Sequence, residues 1–176
     1  MKNPVRPKIK LIPGPLDFIY EGLSWLLLLC QWAYVLSVFQ GLPAEIPVHF
    51  NASGSPDAYG SKAQVWVLLL VCTVLSLGLG LLNRYPHTFN YPVQITPANA
   101  EFQYKLAVQL MRQTKLALVL VFGLVLFETI QTAQQKKGLM AEWMLPVVLL
   151  AFFLPLLVYF GRAFSNSKMR NTNRES

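Results

Sequence analysis

Five side chains capable of chemistry fall in the stretch 42–62, LPAEIPVHFNASGSPDAYGSK: Glu45, His49, Asn51, Asp57 and Tyr59. Glutamate, histidine and aspartate are ligand types that zinc accepts. A His–Asp pair can move protons, provided that a nucleophile or a second base stands beside it. The chain has no HExxH, GxSxG or CxxC pattern to supply such partners. A single histidine in a turn-rich loop more often bonds the local backbone than a metal. No catalytic residue, cofactor or metal is therefore assigned, and the chain reads as a non-enzyme. Recognition of a ligand by His49, Asn51, Asp57 and Tyr59 is the favoured chemistry. Pro43 and Pro47 stiffen the approach to this loop, and Asn51 to Gly54 and Ser55-Pro56-Asp57 are turn sequences. His49 is expected to donate to Asp57 as an internal brace; if buried, removal of either would cost about 1–3 kcal/mol.

Glu128 is the other notable group. It interrupts the apolar run LALVLVFGLVLFETIQ at 116–131. Counted from Lys115 it lies about 20 Å along a helix. A carboxylate at such depth usually faces the bundle interior or water. It is read either as an ion or proton site or as a partner of Lys62, Lys136 or Lys137. Gln31, Thr73 and Ser76 are the polar residues able to face it. Cys30 and Cys72 sit at similar depth in their runs and read as small packing residues.

The elements that must position these groups are membrane helices. Charged residues make up 13% and hydrophobic ones 54% of the 176 residues, against about 25% charge in a soluble domain. Long apolar runs occupy 20–39, 65–82, 116–131 and 143–160. A hydrocarbon layer about 30 Å thick takes about 20 helical residues, which these runs reach with their flanks. Twelve of the fifteen Lys and Arg precede the first run, separate the second from the third or follow the fourth. The positive-inside rule then puts both termini and the middle loop in the cytoplasm, and the 42–62 loop outside. Trp25, Trp66 and Trp143 stand near run ends, where interfacial aromatics belong.

The expected architecture is all-α: an integral membrane four-helix bundle, N-in and C-in, with a structured extracytoplasmic loop between helices 1 and 2. Residues 1–15 form a cytoplasmic N-terminal segment, 16–162 the transmembrane domain and 163–176 a polar cytoplasmic tail. The helices are expected at about 16–40, 62–83, 97–134 and 143–162. Ser61 and Gln64 suggest a capping box for the second. Thr96-Pro97 reads as N-cap and N1 of the third. Tyr104, Ala107, Val108 and Met111 follow i, i+3, i+4, i+7, giving the third helix an amphipathic start. Its apolar stripe is expected to rest on the chain's own bundle or on lipid.

The net charge of +7 suits a basic face beside anionic lipid, and no basic–aromatic stripe suggests nucleic acid. The expected partners are the bilayer, an extracytoplasmic peptide or small ligand, and another membrane protein, in the cell (cytoplasmic) membrane.

The run IPVHFNASGSPDAYGSK resembles the signature loop of the family called domain of unknown function 1648, a prokaryotic membrane domain. The matching features are Pro47, His49, Phe50, Asn51, Gly54, Pro56, Asp57 and Tyr59. NRYPHTFNYPVQITPANAEFQY resembles the middle loop of small four-helix members, so the similarity spans roughly 20–130. The family includes the immunity protein against the sporulation-delay toxin of a spore-forming bacterium, which also signals to a repressor and has further membrane helices. The resemblance thus implies an immunity- or sensor-like binding protein. The competing reading is a small transporter or channel component using Glu128.

Overall fold

The computed structural model describes residues 6–51, 54–136 and 144–175. Its elements are α1 (Pro15–Val38), β1 (Glu45–Phe50), β2 (Pro56–Ser61), α2 (Gln64–Leu82), α3 (Ala100–Ala133) and α4 (Met144–Glu175). Four helices are long and apolar enough to cross a membrane. Their outward surfaces carry leucines and valines with large exposed areas, among them Leu26, Leu29, Val74, Leu154 and Leu157. Apolar faces this extensive are unfavourable in water and suit hydrocarbon.

The architecture is not purely helical. Between α1 and α2 the chain folds into a two-stranded antiparallel hairpin, β1 pairing with β2. The sequence signals for turns at 51–57 are genuine, and they close a hairpin. Asn51 N–H donates to the Ser55 carbonyl at 2.9 Å, Ser55 N–H to Asn51 Oδ1 at 3.0 Å, and Gly54 N–H to the Asn51 carbonyl at 2.9 Å. Gly54 has φ of 74°, a left-handed conformation that glycine adopts without Cβ strain. Register shifts on either side of His49 mark a bulge.

Two helix starts differ from expectation. No side chain caps α2; Ser61 Oγ accepts from Ala63 N–H at 3.3 Å, and the helix begins at Gln64. Residues 97–99 form a turn before α3. There Asn99 Oδ1 accepts from Thr96 N–H at 2.8 Å, so Asn99 holds the turn that Thr96 was expected to cap. The α4 helix extends to Glu175, because no proline or glycine after Gly161 interrupts it. Lys137 and Trp143 lie outside the described residues.

The central element is α3, which packs against α1, α2, α4 and β1. One core joins Leu28 and Val35 of α1, Val65, Leu69 and Cys72 of α2, Val119, Leu126 and Ile130 of α3, and Leu42 and Ile46 at the hairpin base. Cys30 points outward and Cys72 inward, so the two thiols do not meet. Where α1 crosses α3, Gln31 Nε2 donates to the Val119 carbonyl at 2.8 Å. A Cβ on Gly123 would stand 2.8 Å from that amide nitrogen, so glycine there admits the glutamine.

The amphipathic start of α3 is covered by the chain itself. Tyr104 packs with Ile95 and with Ile9 and Leu11 of the N-terminal segment, while Ala107 packs on Tyr159 and Ala163 of α4. Arg6 ties that segment to the α2–α3 loop by donating to the Phe89 carbonyl at 2.5 Å and lying over Tyr91. The Tyr91 hydroxyl donates to the Pro86 carbonyl at 2.8 Å, and burial holds its pKa above the usual phenol range.

Candidate functional site

The hairpin is anchored on one side and open on the other. Ile46 is only 1% exposed and packs with Leu42 beside Leu126 and Ile130 of α3. The Lys62 N–H donates to the Ala44 carbonyl at 2.9 Å, closing the hairpin base. The Lys62 ammonium donates to the carbonyls of Phe39 and Leu42 at 3.4 and 3.3 Å and lies over the Phe39 ring. Trp66 packs between Phe39 and Trp32 with its ring tilted against both, and Trp32 Nε1 donates to Thr73 Oγ1 at 3.1 Å. A short two-stranded ribbon is marginal alone; these contacts hold it on the helix ends.

On the open side, His49 Nδ1 and Asp57 Oδ1 are 2.5 Å apart. The expected pair therefore forms, but in the open: the side chains are 68% and 44% exposed. Asn51 is engaged in closing the turn. Tyr59 is exposed and, among the described residues, makes no hydrogen bond to His49 or Asp57. Two of the four proposed ligand-binding residues thus touch, one shapes the turn and one stands apart. No group of three His, Cys, Asp or Glu side chains converges among the described residues.

The exposure of the pair revises its expected contribution. Solvent-exposed ion pairs contribute about 0–1 kcal/mol. His49→Ala and Asp57→Ala should each lower stability by less than about 1 kcal/mol, with the double variant little worse than either. Thermal melts of the detergent-solubilised protein will check this. A loss above about 2 kcal/mol for either would show the hairpin to be far more enclosed than its exposure indicates.

Glu128 lies near the hairpin end of α3 and is 4% exposed. It is engaged within the structure. Gln31 and Thr73 point their hydrogen bonds elsewhere, to the Val119 and Leu69 carbonyls.

At the opposite end of the bundle lies a charge cluster whose pairing the sequence did not reveal. Arg112 Nη1 meets Asp17 Oδ1 at 2.5 Å, and its Nε is 3.6 Å from Glu21. The Lys115 ammonium donates to Glu21 Oε2 at 2.6 Å and stands 4.2 Å from the Trp25 ring centre. Lys115 is only 1% exposed. Gly80 of α2 lies beside it: a Cβ there would stand 3.9 Å from the ammonium, an ordinary van der Waals contact. Asp17 and Glu21 stand near the start of α1, where acids suit the helix dipole, and Arg112 and Lys115 are among the basic residues of the middle segment. A clue was available in their spacing: two acids four apart on one helix and two bases three apart on another make a matched pair of faces.

The chain is 32% identical over 91 residues to an uncharacterized protein of the archaeon Archaeoglobus fulgidus, an alignment covering 46% of this chain and 50% of the relative. The chain thus spans about half the length of that relative. No solved structure matches it. The charge cluster and the loop before α3 lie outside the segment that a family model recognises. That segment, residues 26–75, runs from within α1 through the hairpin into α2, and there the chain matches the family described as Domain of unknown function (DUF1648).

Proposed function

We propose that the chain is a multi-pass protein of the cell membrane that recognises a peptide or small ligand through its hairpin and carries out no reaction itself. In this reading both termini and the α2–α3 loop face the cytoplasm, and the hairpin faces outward, as the distribution of Lys and Arg suggests. The supporting observation is that His49, Asp57 and Tyr59 are exposed on a hairpin fastened from beneath by Ile46. A rigid support lowers the ordering cost of binding, and an exposed aromatic beside polar groups is a common recognition surface. The segment that matches the domain of unknown function 1648 family contains this hairpin, and an immunity- or sensor-like role is the form of recognition we propose for it.

A transporter reading draws on the burial of Glu128. It requires a polar path, and two of the residues named for that path, Gln31 and Thr73, donate to helix carbonyls instead.

The test uses chains in which Cys30 and Cys72 are replaced by alanine. Single cysteines at Ser55 and Gln135 should react with an impermeant thiol reagent on intact cells, and one at Asn90 should not. A photocrosslinking residue at Tyr59 should yield a discrete adduct in cells, absent when the probe stands at Tyr85. Labelling at Asn90 would refute the orientation. A Tyr59 probe that captures only lipid would refute recognition through the hairpin.

A further inference from the structure

Two cavities flank the charge cluster, of about 240 and 380 Å³. The second falls within the range of about 300–1,000 Å³ typical of small-ligand sites. Asn83, Arg84 and Arg112 line both. The smaller cavity reaches Lys10 in the N-terminal segment. The larger is bounded by Trp25, Leu77 and Leu81, side chains exposed on the apolar belt.

The charges at these cavities do not balance. Arg112 and Lys115 face Asp17 and Glu21, and Lys105 pairs with Glu101. Lys10 and Arg84 are exposed and have no ion-pair partner among the described residues. Between the cavities, both polar atoms of the Asn83 amide are shielded from solvent, with no hydrogen-bond partner among the described residues. A buried amide without partners is costly, and an anionic oxygen placed there would accept from its NH₂ group.

We infer that these cavities hold the phosphate of an anionic phospholipid, with Arg84 and Lys10 facing the negative charge and Asn83 donating to a phosphate oxygen. Phosphate is the shared chemistry of a lipid headgroup and of a free ion. The apolar boundary selects the lipid, because Leu77, Leu81 and Trp25 lead from the polar pocket onto the hydrocarbon-facing surface of the bundle. Basic pockets between membrane helices are suited to such headgroups. The site is independent of the hairpin, which lies at the other end of α1 and α2.

The full chain in neutral detergent should be titrated with phosphatidylglycerol, phosphatidylcholine or inorganic phosphate and followed by native mass spectrometry. Phosphatidylglycerol should bind in preference to phosphatidylcholine, and inorganic phosphate should not compete. Each basic residue facing anionic lipid contributes about fivefold. Lys10→Gln with Arg84→Gln should therefore weaken phosphatidylglycerol binding roughly 30-fold. Both side chains are exposed, so the variant should melt like the parent; Asn83→Leu provides a second variant that leaves every cation in place and should also weaken binding. Undiminished binding in both variants, or equal binding of phosphatidylcholine, would overturn the inference. Competition by millimolar inorganic phosphate would overturn the lipid as the source and leave a free-phosphate site.

Discussion

Glu21→Leu should lower the stability of the detergent-solubilised protein by about 3 kcal/mol, because it strands the buried ammonium of Lys115. In the parent that ammonium has a carboxylate at 2.6 Å and an aromatic face at 4.2 Å. The substitution leaves it the Trp25 ring alone, a contact of about 0.5–2 kcal/mol. Asp17 still holds Arg112, so the effect should concentrate on Lys115. Replacing the pair together, Glu21→Leu with Lys115→Met, should recover stability to within about 1 kcal/mol of the parent, since an apolar pair of similar volume carries no stranded charge. Thermal or denaturant unfolding of the four members of the cycle measures this. Equal losses in the double and the single variant would show that Glu21 does not act through Lys115.

Ile46→Ala should cost about 3 kcal/mol, the usual loss for a large aliphatic side chain removed from a packed core. Ile46 is 1% exposed against Leu126 and Ile130, and it belongs to the strand that joins the hairpin to α3. The loss should therefore appear first as protease cleavage within the hairpin, before the helices unfold. Ile46→Val should cost about 1 kcal/mol, and the exposed Val48→Ala less than about 0.5 kcal/mol. A Val48 effect equal to that of Ile46 would mean that the hairpin lies on the bundle in a different register.

The sequence by itself determined the four helices. A run of some twenty apolar residues has a favourable transfer free energy into hydrocarbon whatever its neighbours do, and its backbone must bond internally. The turn was equally local, because the Asn51 side chain and the glycine at 54 act within five residues of chain. The His49–Asp57 pair was also within reach, eight residues apart across that turn.

The tertiary structure decided what lies across longer separations. The strand β1 reads EIPVHF, with a proline within it and bulges on either side of His49, so no clean alternation marked it. It becomes a strand because β2 pairs with it and Ile46 finds a site on α3. The pairing of Lys115 with Glu21 spans 94 residues, and that of Gln31 with Val119 spans 88. Charge order along the chain marks where Lys and Arg fall between membrane runs, but not which acid a buried cation meets. That depends on the rotation of α1 against α3, set by the side chains packed between them: Gln31 fits because residue 123 is glycine.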